Sequence, residues 1–412
     1  MRLETIDARK PDARHETIDE SHASRLIRPR VSGLTSSVLW PKVKLGEILR
    51  LFHGKAIQAN ATGCCPVYGS NGKIGRCDSG LYDNAIIIGR VGAYCGSVAR
   101  EKGTFWASDN TIVCRAVDDV ADTDFCYYLL KDLRLNNYAR GTAQPLITQG
   151  IIKQIEIPLP PLTIQRRIAG ILSAYDDLIE DNRRRIAILE ETARLTYRKW
   201  FGGSEQCRTA TIGKIAPFAR GKVITQKNAV YGKVPVVAGG LDPAYFHNVA
   251  NTGAPVITIS GSGANAGFTR MYFEPIWASD CSWCDKSKTK CFYFAYCFLK
   301  DNADALRNLQ QGAAQPHVYP KDINALEIVL PKSNDMLDNF EANVEPLFSQ
   351  CGVLAKQSVA LAAARDMLLP ILMKGDLMRL DMSDTDTTRC ESRVQIPPFP
   401  NRGCVSDFGG AL

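Results

Sequence analysis

The chain has 412 residues, of which 45% are hydrophobic and 23% charged, with a formal net charge of +7. That describes an ordinary globular protein with room for two or three domains, and the mild basic excess permits a polyanionic partner without requiring one. No run of about 18 apolar residues is present and no apolar h-region opens the sequence, which excludes a membrane helix and argues against a secretory signal. The 14 cysteines therefore predict reduced thiols in a cytoplasmic protein, not a disulfide framework.

Residues 1–38 are polar and aperiodic and are expected to form a flexible extension. A first module over 39–162 follows. Its short apolar runs are split by glycine, as in Ala85-Ile86-Ile87-Ile88 before Gly89, and predict buried strands. Residues 124–135 predict one helix within it. A second module over 205–332 repeats the plan at an offset of 171 positions: Trp106-Ala107-Ser108-Asp109 returns as Trp277-Ala278-Ser279-Asp280, Gly141 to Pro145 as Gly312 to Pro316, and Gly92-Ala93 with Gly96 as Gly263-Ala264 with Gly267. The period is a domain, too long for a solenoid repeat of about 20–50 residues. Two similar but diverged modules suit a two-part target.

Each module leads into a long helical segment, at 163–204 and 333–377. In the first, Ile164, Ile168, Ile171, Tyr175 and Leu178 form a 4-3-4-3 seam. Asn182, Ile186, Leu189, Ala193, Thr196 and Trp200 follow, with an eleven-residue step around Asn182 that locally unwinds a supercoil. In the second, Leu337, Phe340, Val344, Leu347, Cys351, Leu354, Ser358, Leu361, Arg365, Leu368 and Leu372 alternate threes and fours. Pro346 and Pro370 are expected to kink or bound that helix. The expected fold is α+β: two similar mixed α/β globular domains separated by a long antiparallel two-helix coiled coil. If about 25 residues of each seam overlap, they hold the modules some 35–40 Å apart. The tail, 378–412, is expected to be disordered.

Three tempting motifs fail on chemistry. Gly261-Ser262-Gly263-Ala264-Asn265-Ala266 resembles a dinucleotide loop, but no helix N-terminus follows to face a pyrophosphate. Cys281, Cys284, Cys291 and Cys297 have irregular spacing for zinc, and strand positions i and i+3 face opposite sides. Ile396-Pro397-Pro398-Phe399 resembles a methyltransferase turn, but Ile396 cannot accept from a substrate amine. No catalytic or metal constellation is assigned, and the chain reads as a reader of another molecule.

Candidate reading residues, of types that suit a nucleic acid, follow from type and place. Lys55 and Lys222 each sit beside a glycine turn. Arg140 and Gln311 precede the loops that present Gln144 and Gln315. These amides suit bidentate contact with adenine, or they satisfy backbone in a tight proline turn. Equivalent positions that differ are the better base readers: Arg90 against Gly261, Tyr94 against Asn265, Leu146 against His317. Arg270 is a further cation on the second module.

Residues Ile157-Pro158-Leu159-Pro160-Pro161-Leu162 with Gln165-Arg166, then Leu178 to Ile186 (LIEDNRRRI) and Leu189-Glu190-Glu191, resemble the central conserved region of type I restriction–modification specificity subunits. Leu368-Leu369-Pro370 to Met373-Lys374-Gly375 resembles the distal region of that family, so the likeness covers about 40–377. It implies two target recognition domains, a bipartite asymmetric site on double-stranded DNA, and two docked modification subunits that methylate adenine. Restriction subunits with translocase activity would join them. S-adenosylmethionine, ATP and Mg would belong to the partners, with no cofactor in this chain. Ala355-Lys356-Gln357-Ser358 stand where a second Asn-Arg-Arg-Arg-Ile would be, which departs from the pattern. A fused endonuclease–methyltransferase arrangement and a helical protein scaffold remain as alternatives.

Overall fold

The computed structural model describes residues 40–60, 62–141, 144–203, 207–311 and 316–374. The expected N-terminal extension, the C-terminal tail with the Pro-Pro-Phe turn, and Gln315 lie outside them.

The first module is built on a six-stranded sheet in the order Leu49–His53, Thr111–Ala116, Tyr82–Gly89, Val98–Ala107, Cys65–Gly69, Gly72–Cys77. The β-branched run Ile86-Ile87-Ile88 lies between two antiparallel neighbours and is fully buried, with its side chains divided between two cores. The link between Val98–Ala107 and Cys65–Gly69 is parallel, with Val67 opposite Trp106. Asp122 caps the helix Thr123–Asp132 by accepting from Phe125 N at 2.8 Å, as a short carboxylate before an apolar helix should.

The second module keeps the strand order but divides the sheet. Ala219–Arg220, Cys281–Asp285, Val256–Ser260 and Thr269–Tyr272 form one part, and Tyr245–His247, Val234–Val237 and Trp277–Ala278 the other. The single strand Val98–Ala107 corresponds to two pieces here. Pro275, lying between them, cannot donate to a ladder. The parallel pair survives, with Val236 opposite Trp277.

The central helix, Leu162–Phe201, and the distal helix, Asn334–Met373, have 40 residues each. Ser333 caps the distal helix, and Pro346 and Pro370 lie inside it without ending it. The helices run antiparallel. Arg365 pairs with Asp176, Asn182 Nδ2 donates to Gln357 Oε1 and Ser358 Oγ, both at 3.3 Å, and Trp200 packs on Phe340 with ring centroids 5.9 Å apart. The side-chain pairs from Asp176–Arg365 to Trp200–Phe340 span about 36 Å of helix rise.

The central seam needs a correction of phase. Ile171 and Leu178 are 36% and 49% exposed, whereas Ile168, Leu172, Ile179, Asn182 and Ala193 are buried. Ile168 and Ile179 are eleven residues apart, and so are Asn182 and Ala193. An eleven-residue period is 3.67 per turn, which drifts in the sense opposite to a heptad and so offsets its left-handed supercoil. The first module also packs on this helix through Ile168, Ala169 and Leu172, so two partners set the buried face. Tyr175, Ile186, Leu189, Leu347 and Leu361 are half-buried and Leu354 is buried. Phe348, beside Leu347, takes the fully buried place and stacks on Tyr293 at 4.7 Å.

Each module closes its core with the start of one helix and the end of the other. The first uses Ile168, Ala169 and Leu172 with Leu369, Leu372 and Met373; the second uses Ala193 with Leu337, Phe340, Val344 and Phe348. The two joints differ in chemistry. Tyr197, Trp200, Phe201, Phe294 and Phe340 form an aromatic cluster at the second. Polar ties hold both, Arg194 and Arg198 pairing with Asp301 at the second, and aliphatic side chains serve the first. There Gln165 is fully buried; its Nε2 donates to Pro160 O at 2.8 Å and Val120 O at 3.2 Å, and its Oε1 accepts from Asp122 N at 2.9 Å. A buried amide with its hydrogen bonds made fixes one arrangement of helix on module.

Candidate nucleic-acid interface

The repeated motifs meet at one end of each sheet, joined by backbone hydrogen bonds. In the first module, Trp106 Nε1 donates to Lys55 O at 2.8 Å and Lys55 N donates to Ala107 O at 2.8 Å. In the second, Trp277 Nε1 donates to Lys222 O at 2.8 Å and Lys222 N to Ala278 O at 2.9 Å. The turn passes so close to the motif that a Cβ on Gly54 would lie 1.9 Å from Ser108 O, and one on Gly221 2.1 Å from Ser279 O. Only glycine fits there. Lys55 and Lys222 themselves are exposed.

The other end of the motif holds the glycine loop. Arg90 N donates to Asn110 O at 3.0 Å, and Gly261 N to Asp280 O at 3.2 Å. That loop turns through left-handed glycines in both copies, Gly92 and Gly96 at φ +74° and +85°, Gly263 and Gly267 at +78° and +86°. Glycine adopts this region without steric cost. The sequel to Gly261-Ser262-Gly263 is the strand Thr269–Tyr272, so the resemblance to a dinucleotide loop ends there.

The glycine loop in turn clasps the closing loop. Ile147 N donates to Arg90 O at 2.9 Å and Val318 N to Gly261 O at 3.0 Å, while Gly92 N and Gly263 N donate to Pro145 O and Pro316 O at 3.0 Å. Arg140 pairs with Leu146, and Gln311 with His317, across the loop base. The shared residues are thus fasteners, and the unlike side chains hang from them.

Those side chains present different chemistry. Arg90 is half-buried with its Nε enclosed, while Tyr94 is 61% exposed and Arg140 and Gln144 are exposed. In the second module Asn265 and His317 are half-buried, His317 stacking on Tyr319 at 5.9 Å. The Ser262 hydroxyl donates to Asp280 Oδ2, putting a carboxylate beside the glycine loop. Arg270 is engaged within its own module. Its guanidinium donates to Leu241 O at 2.6 Å, pairs with Asp242 at 3.3 Å and lies 5.0 Å over the Tyr272 ring. A strand residue opposite a turn carboxylate is captured by it, which sequence spacing did not show.

The cysteines sit in cores. Cys281 and Cys284 belong to separate apolar clusters on opposite faces of one strand, and burial pushes both thiols up to about 12. Among the described residues, no group of three or more His, Cys, Asp or Glu side chains is placed to hold a metal ion. No helix among them is long and apolar enough to cross a membrane.

The duplicated architecture matches a known profile. The Type I restriction modification DNA specificity domain matches twice, over residues 37–191 and 205–344. The chain belongs to that family. A relative, the Type I restriction enzyme EcoprrI specificity subunit of Escherichia coli, is 32% identical over 142 residues, covering 32% of this chain and 35% of the relative. The match therefore spans about a third of that relative's length. The Type I restriction enzyme MjaIX specificity subunit of Methanocaldococcus jannaschii is 24% identical over 299 residues, 62% of this chain and 69% of the relative. The crystal structure of a type I restriction–modification S subunit from M. genitalium superposes with a TM-score of 0.51 at 23% identity, covering 83% of this chain and 98% of that one. This likeness extends the shared fold across both modules and the helix pair.

Sequence reasoning missed two residues of this specificity-family fold. Gln165 stood inside a recognised motif, but its role as the joint was invisible without the carbonyls it meets. Asp176, on a helix face with no apolar signature, accepts from Tyr128 OH at 2.6 Å and pairs with Arg365.

Proposed function

We propose that the chain is the DNA specificity subunit of a type I restriction–modification complex. Each module reads one half of a bipartite, asymmetric duplex target, and the helix pair holds the two readers apart. The observation that carries this reading is the twice-built set of fastened loops with unlike side chains at equivalent places. Arg90 offers donors to the first half-site, where guanine O6 and N7 would accept; Gln144 offers a bidentate amide to adenine. Lys55, Lys222 and Arg140 neutralise phosphates.

The exposed middle of the helix pair supports subunit docking. Arg183, Arg184 and Arg185 are exposed there, and Ile188 and Val359 are 65% and 70% exposed. Two modification subunits dock on this surface, and restriction subunits join them. S-adenosylmethionine, ATP and Mg serve in those partners. This chain catalyses nothing itself and works in the cytoplasm.

Replacing residues 205–332 with the equivalent part of another family member tests the modular reading. Methylome sequencing should then show one half of the methylated motif changed and the other kept. A change in both halves would overturn it. A pure scaffold would show no salt-dependent DNA affinity.

A further inference from the structure

Tyr231 is 96% exposed, an unusual state for an aromatic ring, and its surroundings hold it there. On one side, Val230 N donates to the ring nitrogen His247 Nδ1 at 3.0 Å. On the other, Gly232 passes so close to the neighbouring strand that a Cβ would lie 2.3 Å from His247 O and Asn248 Cα. The backbone is thus pinned immediately before and after Tyr231. His247 is buried and packs edge-on against Trp277, 5.0 Å between centroids, and Trp277 holds the Lys222 turn. A short chain of contacts therefore ties the protruding ring to the fastened loops of the second module.

The sequence around the ring carries charge of one sign. From Arg208 to Leu241 the sequence carries six cations, Arg208, Lys214, Arg220, Lys222, Lys227 and Lys233, and no Asp or Glu. Lys227 and Lys233 flank the ring and are exposed. The first module has no counterpart, since residues 56–64, between Lys55 and the strand Cys65–Gly69, contain no aromatic residue.

An exposed aromatic on a pinned backbone, between lysines and without acids nearby in sequence, fits a polyanion that has apolar faces between its charges. Resting on the reading of this chain as a DNA specificity subunit, we infer that Tyr231 contacts duplex DNA in the second half-site, its ring lying against the sugar and base surface between phosphates neutralised by Lys227 and Lys233. The second module then gains an apolar contact that the first lacks, and deformability of the base step beneath the ring contributes to what it selects.

The test uses the full complex with its modification subunits and a duplex carrying the motif it methylates, with affinity measured across a salt series. Tyr231→Ala should weaken binding roughly tenfold with the salt slope unchanged, and Tyr231→Phe should restore it. Lys227→Ala and Lys233→Ala should each lower the slope by about one. Because the ring is exposed, the melting temperature of Tyr231→Ala should match that of the parent. Unchanged affinity in Tyr231→Ala overturns the inference. So does a Phe variant as weak as Ala, which would make the hydroxyl the contact, or a loss of modification-subunit assembly instead of DNA affinity. An unmodified complex with no salt-dependent binding would refute the DNA-reading function itself.

Discussion

Arg365 on the distal helix pairs with Asp176 on the central helix, and the other carboxylate oxygen accepts the Tyr128 hydroxyl of the first module at 2.6 Å. One side chain thus binds three elements that are far apart in sequence. Its neighbours leave it only partly exposed, so the pair is worth more than a surface salt bridge and less than a fully buried one.

Asp176→Asn should therefore cost about 1–3 kcal/mol of stability. The loss should be local: hydrogen exchange should quicken in the helix Thr123–Asp132 and stay unchanged in Phe292–Asp301. Combining it with Arg365→Leu should cost less than the two changes summed, since the two side chains share one interaction and the charge left over, Asp366, which Arg365 also pairs with, is exposed.

Gln144 and Lys55 separate base reading from phosphate contact. Gln144→Ala should weaken specific binding by about 1–3 kcal/mol and leave non-specific binding unaltered. Lys55→Ala should weaken both and reduce the salt slope by about one. If Gln144→Ala instead lowers the melting temperature with affinity intact, the amide serves only its turn.

Glu341 makes a pH-dependent cap. It accepts from Phe294 N at 2.7 Å and Tyr293 N at 3.2 Å, at the start of the helix Phe292–Asp301. Burial pushes its carboxyl up to about 7, against the opposing pull of these N–H groups. A raised folded value means the native state holds the proton more tightly than the unfolded chain. Its contribution is fully present below the ordinary carboxylate range and is lost as pH rises toward 7. Between pH 4.5 and 7 the wild type should lose about 3 kcal/mol relative to Glu341→Gln. Parallel melting curves for the two proteins across that range would refute the assignment.

The helix pair sets spacing only if both strands of the ruler lengthen together. Inserting seven residues after Asn182 and seven after Gln357 adds about 10 Å while nearly keeping the seam in phase. The gap in the methylated motif should grow by about three base pairs, with both halves unchanged. An unaltered gap in an assembled complex would mean that the modules, not the helices, measure the DNA.

The repeat made the architecture legible because each copied motif has a backbone duty. Gly54 and Gly221 are forced by a carbonyl under 2.2 Å from where a Cβ would be, and left-handed glycines recur at matching positions. Such residues leave the same mark in both copies. What was not legible depends on tertiary partners. The phase of the central seam slipped by a residue at Ile171 and Leu178 because a heptad count ignores the module lying on the same helix. The partners of Arg270, Asp242 and Leu241 O, could not be read because they are distant in sequence. Tyr231 has no periodic neighbour to announce that it points outward.

The joints have a mechanical consequence. The cluster of Tyr197, Trp200, Phe201, Phe294 and Phe340 carries no charge, so its grip does not slacken as ionic strength rises. The ion pairs at the joints, Arg194 and Arg198 with Asp301 at the second and Asp176 with Arg365 at the first, do weaken, in the same salt range that strips a protein from DNA. Each module is thus held to the helix pair by an apolar grip that salt leaves intact and by ion pairs that salt loosens as the DNA lets go.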